Sequence, residues 1–179
     1  MTCIIGFKID GHVYMGADSA GVGGQNLTHR KDSKLFKNGD FLMGCTSSFR
    51  MIQLLKYSFI PPERHADEDI EKYMCTKFVD GIRECFKNGG FAKKKDEEES
   101  GGEFLIGYQG RLFRIESDYQ VEESLDNFNA CGCGEDFALG AMSILEKMDI
   151  KPEDKIRKAL ESAEYFSTSV SSPFLFDWI

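Results

Sequence analysis

The sequence predicts an α+β fold of two antiparallel sheets, each with a pair of helices on its outer face, which pack into a four-layer αββα sandwich. Strand and helix patterns come in separate blocks, and two-residue turn signals join strands within a block. Hydrophobic residues make up 41% of the 179 residues and include fifteen Phe, which suffices for the core of a single domain over residues 1–179. Periodicity predicts the helices and strands, but it does not by itself determine how the sheets stack.

The first block contains four predicted strands. Runs of hydrophobic residues place them at residues 2–9, 12–18, 34–38 and 41–46. Asp10 and Gly11 form a strong type I′ hairpin signal between the first two, and Asn38 and Gly39 form a second signal. The glycine-rich residues 21–24 predict a loop.

Two helices are predicted next from apolar residues that recur near every 3.6 positions. The first follows N-cap residues at 46–48 and stops before Pro61. The second is longer, opens at Asp67 and ends at Asn88, which two glycines follow. Residues 92–102 then form a charge run that predicts a solvated, mobile loop.

The second block repeats this order with three strands, two helices and a last strand. The predicted strands cover residues 103–108, 111–116, 127–131 and, at the end, 166–171. One helix begins near Glu135, and the other carries Pro152 in its first turn, where the missing N–H costs nothing. The apolar tail at residues 171–179 either packs over its own domain or provides a contact for another subunit or an unfoldase.

Composition and charge exclude several classes of protein. A net charge of −8 argues against a phosphate-binding surface, so no nucleic-acid partner is expected. No apolar run approaches the roughly 20 residues of a membrane span, and the start lacks the basic leader of a signal peptide. The six cysteines are therefore expected to be reduced thiols in a cytoplasmic protein. Cys131 and Cys133 are too close for the usual zinc pair.

Thr2 is a candidate catalytic nucleophile. It becomes the first residue if Met1 is removed, which is expected because methionine aminopeptidases accept a small second residue. Its Oγ could then attack a carbonyl while its free α-amine accepts the proton. Taken alone, Thr2 is more simply a β-branched residue that starts a strand.

Two ionisable residues change that interpretation. Asp18 ends the second strand sixteen residues after Thr2, and Lys34 begins the third sixteen further on. Hairpin pairing can bring both beside the start of the first strand. A lysine there would lower the pKa of the Thr2 hydroxyl and keep the α-amine neutral by charge repulsion, and Asp18 would hold the lysine charged and oriented.

The sequence resembles the family of proteasome β-subunits and bacterial HslV peptidases, which are N-terminal nucleophile (Ntn) hydrolases. The resemblance begins in residues 2–8 (TCIIGFK) and 11–19 (GHVYMGADS) and extends to about residue 170. Thr2, Asp18 and Lys34 occupy the positions of the family's catalytic Thr, Asp and Lys. The resemblance implies the αββα sandwich and a threonine-type peptidase that cleaves an amide bond through an acyl-enzyme.

The resemblance also implies supporting residues. Residues 132–138 (GCGEDFA) match a Gly-Ser-Gly motif with Cys133 in place of Ser, and Glu164 with Ser167 matches an Asp-x-x-Ser motif with Glu for Asp. In the family these groups surround the N-terminal amine. The backbone segment that stabilises the oxyanion matches Gly44, Cys45, Thr46 and Ser47. HslV-like members bind a monovalent cation such as Na⁺ through backbone carbonyls, which match Ala163, Phe166 and Ser169, and no other cofactor is expected.

Three functions follow from these observations. The first is a peptidase that assembles with copies of itself into a ring, acts on peptides or unfolded proteins and works with an ATPase unfoldase. The second is a non-catalytic ring subunit or scaffold that retains Met1, in which the nitrogen of Thr2 is a peptide nitrogen and not an amine. The third, a redox or binding module suggested by Cys131, Cys133 and the surface charge, has no other support. Asp18 and Lys34 favour the first, because a scaffold does not need this pair.

Overall fold

A computed structural model describes residues 2–24, 26–95 and 97–179. Thirteen strands are described, β1 to β13 in chain order: Ile4–Ile9, His12–Ala17, Ala20–Gly23, Asn26–His29, Leu35–Asn38, Phe41–Cys45, Lys93–Lys95, Glu98–Ser100, Phe104–Tyr108, Arg111–Ile115, Val121–Glu123, Phe128–Cys131 and Leu175–Trp178. The α-helices, α1 to α5, are Phe49–Tyr57, Ile70–Tyr73, Val79–Asn88, Glu135–Leu145 and Pro152–Phe166. A π-helical segment, Met74–Phe78, joins α2 to α3.

Two larger antiparallel sheets organise the chain. The four-stranded sheet has the order β12-β1-β2-β13, and the five-stranded sheet has the order β11-β10-β9-β6-β5. In the first, Ile4 pairs with Cys131 on one side and Ala17 on the other. The N-terminal end of β1 therefore lies between the last residues of β2 and β12, and this places Thr2 beside both.

Three hydrophobic clusters fill the protein. One lies between the five-stranded sheet and helices α1 to α3, and another between the four-stranded sheet and helices α4 and α5. The third joins the two sheets to each other, and its buried members include Ile4 and Met15 from one sheet and Leu42 and Leu105 from the other. Both sheets thus contribute buried residues to a cluster that they share and to a second cluster that includes helices.

The predicted hairpins are present. Asp10 and Gly11 have φ values of 51° and 78°, the left-handed values that a type I′ turn needs. Gly39 lies between β5 and β6 with φ 57°. Helix α1 begins as predicted at a serine cap, since the side chain of Ser48 accepts the amide N–H of Arg50.

Several predicted elements were wrong or misplaced. Residues 21–24 are not simply a loop, because β3 and β4 pair there as a two-stranded sheet. Within residues 92–102, β7 pairs with β8, and Lys94 lies opposite Glu99. The second predicted helix is capped by Asp69 and starts at Ile70 rather than at Asp67.

The end of the chain also differs from the prediction. Residues 166–171 form no strand; they contain the end of α5 and a turn. The last strand is β13, which pairs with β2 at the edge of the four-stranded sheet, and Ile179 exchanges both backbone hydrogen bonds with Val13. The apolar tail therefore packs on its own domain. Within the described ranges, no helix has the length and apolar character needed to cross a bilayer.

Candidate active site

A buried ion pair lies at the end of the sheets where β1 begins. The Nζ of Lys34 donates to Oδ1 of Asp18 at 2.8 Å, and the side chains of these residues are 2% and 0% exposed. Asp18 also accepts the backbone N–H of Cys3 at Oδ1 and that of Ala20 at Oδ2. Three donors thus hold the carboxylate, and the carboxylate fixes the ammonium group of Lys34.

Thr2 lies directly beside this pair and is 5% exposed. Its carbonyl oxygen accepts the amide N–H of Gly134 at 3.4 Å. Gly132 has φ 99°, and a β-carbon built there would collide with the carbonyl oxygen of Thr2. The loop after β12 therefore needs glycine at position 132, both for its backbone conformation and for its close approach to Thr2.

A small pocket opens beside Thr2 and Lys34. It has a volume of about 100 Å³. The residues that line it are Thr2, Val22, Lys34, Cys45, Thr46, Ser47, Ser48, Phe49 and Ile52. Polar groups thus occupy one part of the wall, and the apolar side chains of Val22, Phe49 and Ile52 occupy another.

The segment predicted to hold an oxyanion forms part of this pocket. The amide of Cys45 donates to the carbonyl of Lys34, and the amide of Thr46 donates to the carbonyl of Glu103. Gly44 lies within the ladder between β5 and β9. The amide of Ser47 donates to no acceptor within the described part of the chain, and Ser47 has φ 54°, an uncommon conformation for a residue other than glycine.

Burial sets the ionisation of the groups around Thr2. Removal from water lowers the pKa of Lys34, and the negative charge of Asp18 opposes that change. Burial raises the pKa of the Cys3 and Cys45 thiols. Both thiols are therefore protonated at neutral pH, and neither has the thiolate character of a reactive cysteine.

The three supporting residues lie in different surroundings. Cys133 is an exposed free thiol in the loop that touches Thr2, and it lies within electrostatic range of Lys34. Ser167 ends α5, and its Oγ accepts the amide of Ser169. Glu164 accepts the amide N–H of Ser172 at 2.6 Å, so its described contact is with the turn before β13 rather than with Thr2.

The proposed carbonyl ligands of a cation lie where α5 ends. The carbonyl of Ala163 accepts the amide of Ser167 at 2.9 Å, and Ser169 is buried, whereas the side chain of Phe166 is exposed. Among the described residues, no group of three His, Cys, Asp or Glu side chains could hold a metal ion.

One feature of the site has no signal in the sequence. Arg114 on β10 is surrounded by the carboxylates of Glu103, Glu116 and Glu135. Glu116 is close to Arg114 in sequence and Glu103 precedes the neighbouring strand β9, but Glu135 reaches Arg114 only because the two sheets pack together. An arginine on a strand predicts no such cluster by itself.

The fold is shared with several solved structures. BPH of Thiobacillus denitrificans, solved in complex with epoxomicin, matches with a TM-score of 0.83 and 20% identity over 99% of this chain and 98% of that one. Eukaryotic HslV from Trypanosoma brucei matches with a TM-score of 0.69 and 16% identity over 99% and 98% of the two chains. Anbu (ancestral beta-subunit) from Yersinia bercovieri matches with a TM-score of 0.67 and 13% identity, over 99% of this chain and 81% of that one.

Sequence comparison gives no match. No protein-family model matches the chain, and no curated protein matches it. The structural likeness covers almost the whole chain. The chain therefore has the fold of HslV and of the ancestral β-subunit.

Proposed function

We propose that this protein is a threonine-type peptidase of the Ntn-hydrolase family, with Thr2 as the nucleophile once Met1 has been removed. The observation that carries the proposal is the buried pair of Lys34 and Asp18 beside Thr2. Burying a charged pair is expensive, and its Coulombic gain often fails to offset the cost. Beside the hydroxyl of an N-terminal residue, the charged pair can take part in catalysis, and this role explains why it is buried there.

The reaction proceeds through an ester of Thr2. The Thr2 Oγ attacks the carbonyl of the substrate amide while the α-amine takes its proton. The positive charge of Lys34 favours the attack by lowering the pKa of the hydroxyl, and it keeps the amine unprotonated, and so able to act as a base, before the attack. The tetrahedral intermediate collapses as the amine returns the proton to the leaving nitrogen. Water then attacks the ester, gives one proton to the amine and releases a carboxylic acid with Thr2 restored.

The backbone N–H of Ser47 is the proposed donor to the oxyanion. The amides of Cys45 and Thr46 are already used by backbone acceptors, and that of Ser47 is the remaining donor of this segment along the pocket. The left-handed conformation of Ser47 is the kind of local strain found at functional sites. Loss of one such donor typically costs about 2.7–4 kcal/mol of transition-state stabilisation.

The proposal extends to architecture and partners. The three hydrophobic clusters support the four-layer αββα stacking of a single domain. We propose that the chain assembles with copies of itself into a ring in the cytoplasm, which limits access to peptides or unfolded chains delivered by an ATPase unfoldase. Cys133, Glu164 and Ser167 support the site, and the carbonyls of Ala163, Phe166 and Ser169 could bind a monovalent cation that the chemistry does not require.

The state of the N-terminus provides the test, and Met1 lies outside the described residues. One form of the protein is released from an N-terminal fusion so that it begins at Thr2, and another carries an additional glycine ahead of Thr2. Only the first should hydrolyse fluorogenic peptides, and Thr2→Ala should be inactive with unchanged assembly. Equal activity of the two forms, or of Thr2→Ala, would overturn the proposal. Inactivity of a form shown by mass to begin at Thr2 would favour the non-catalytic subunit.

A further inference from the structure

We infer that Arg114 is a positioning residue that holds together the two backbone segments on either side of Thr2, an inference that rests on the proposed function. The two segments are residues 46–48, called here the donor segment, and residues 132–134, called the glycine loop. The donor segment carries the proposed oxyanion donor, and the glycine loop contacts the carbonyl of Thr2. They follow strands of different sheets, β6 and β12.

Two sets of contacts, called here the arms, connect Arg114 to the two segments. The first arm reaches the donor segment through Glu103. The carbonyl of Glu103 accepts both the amide and the Oγ1 of Thr46, at 3.1 and 2.9 Å, and the amide of Glu103 donates to Oγ of Ser47 at 3.1 Å. The carboxylate of Glu103 lies 3.6 Å from Nη2 of Arg114. Any movement of Glu103 would therefore move the backbone around Ser47.

The other arm reaches the glycine loop. Nη1 of Arg114 lies 3.3 Å from Oε2 of Glu135, the first residue of α4, and donates to the carbonyl of Ala130 on β12 at 3.1 Å. Ala130 and Glu135 lie on either side of the glycine loop. The guanidinium of Arg114 thus contacts both ends of the loop from a strand of the opposite sheet, by a hydrogen bond at Ala130 and by charge attraction alone at Glu135.

The chemistry of arginine suits this position. Its planar group presents several donors in a fixed geometry, so one side chain can hold acceptors in different directions. The side chain of Arg114 is only 14% exposed, so water screens its contacts less than those of a surface pair. Since about 1 Å of misplacement can cost about a hundredfold in rate, a group that fixes the distance between Thr2 and Ser47 has a direct effect on catalysis.

Strand β10 and the residue that follows it provide variants for comparison. Glu116 lies 2.7 Å from Nε of Arg114. It is close to Arg114 in sequence, and it contacts neither the donor segment nor the glycine loop. Arg111 occupies the other end of β10 and forms an ion pair with Glu123. Arg111→Gln removes an ion pair of this strand without affecting either arm, whereas Glu116→Gln removes the carboxylate nearest to Arg114 and measures the effect of that ion pair by itself.

The test combines hydrogen exchange with kinetics normalised to the number of active sites. In Arg114→Gln, we expect faster amide exchange in residues 44–50 and in residues 130–136. Glu103→Gln should affect the first region, and Glu135→Gln the second. We also expect kcat per site titrated with epoxomicin to fall about 10- to 100-fold, with KM changed less than about threefold, because Arg114 does not contact substrate. Arg114→Lys should fall between Arg114→Gln and the unchanged protein.

The outcomes separate this inference from the proposed function. Unchanged exchange in both regions for Arg114→Gln would overturn the inference, as would a kcat per titrated site equal to that of Arg111→Gln. A protein that begins at Thr2 but neither reacts with epoxomicin nor hydrolyses peptide would overturn the proposed function. Exchange in the two regions would then still show whether Arg114 holds them together.

Discussion

Oδ1 of Asp18 lies 2.8 Å from Nζ of Lys34 and 2.9 Å from the backbone nitrogen of Cys3. One oxygen atom therefore connects the ammonium group to the residue that follows Thr2. The end of β1 and the Lys34 side chain are positioned by a common acceptor, and the spacing between nucleophile and cation depends on this carboxylate.

Asp18→Asn should cost much more stability than the loss of a surface ion pair. The change leaves the buried ammonium of Lys34 without its counter-charge, and breaking one partner of a buried pair typically costs about 3–5 kcal/mol. Asp32→Asn is the matched control, because Asp32 pairs with Arg30 and both side chains are about two-fifths exposed; about 0–1 kcal/mol is expected there. Chemical denaturation measures both, and equal losses would contradict the proposed importance of Asp18.

The rate of hydrolysis should fall at alkaline pH because Lys34 loses its proton. Burial lowers the pKa of Lys34 below its usual 10.5, so the midpoint of the alkaline decline in kcat/KM should lie below that value. In the same interval the unfolded chain holds more protons than the folded one, so this group makes stability rise with pH. Rate and stability are therefore expected to change in opposite directions.

A pH series of kcat/KM together with denaturation checks this expectation. Lys37→Gln provides the control, since Lys37 is an exposed lysine on β5 that pairs with Asp177, and its loss should leave the alkaline decline unchanged. Constant kcat/KM to pH values above 10.5 would exclude the ammonium of Lys34 from the reaction.

Gly132→Ala should abolish most of the activity. Its β-carbon would collide with the carbonyl of Thr2, and the φ of 99° is unfavourable for alanine. We expect kcat to fall about a hundredfold or more because the nucleophile is displaced. Gly90→Ala is the control: Gly90 also has a positive φ, of 68°, but a β-carbon there meets nothing within 4 Å. Peptide hydrolysis by both variants gives the comparison, and similar activities would show that the contact with Thr2 is unimportant.

Deletion of residues 175–179 should destabilise the isolated chain. It removes β13 and exposes the edge of β2, and the half-buried Leu175 and Phe176 lose their packing. About 2–4 kcal/mol is expected from the apolar surface that these side chains bury. Trp178→Ala, at a position 55% exposed, should cost less than about 1 kcal/mol. An unchanged denaturation midpoint for the truncated protein would contradict the packing of β13.

Local chemistry explains what the sequence predicted well. Asp10 and Gly11 have the positive φ values of a tight hairpin turn, and such a turn fixes the register of the strands. Once β1 and β2 pair in this way, Asp18 must lie beside the start of β1. The proximity of Asp18 to Thr2 was therefore predictable from spacing.

The features that were missed depend on partners distant in sequence or on unusual strands. β7 and β8 consist mainly of charged residues, and residues of opposite charge such as Lys94 and Glu99 lie opposite each other in the pair; a charge run otherwise indicates a loop. β13 contains Asp177, which pairs with Lys37 on β5. The contact between Arg114 and Glu135 exists only because two sheets meet there, and no local pattern could predict it.

The reaction of the protein with a threonine-directed covalent inhibitor tests the central proposal most directly. Protein that begins at Thr2 is incubated with the compound, its intact mass is measured, and the modified peptide is sequenced. We predict a mass increase of one bound compound on the peptide that begins with Thr2, and no increase in the form with a glycine ahead of Thr2. Modification of Cys133 instead, or no modification of a protein shown to begin at Thr2, would contradict Thr2 as the nucleophile.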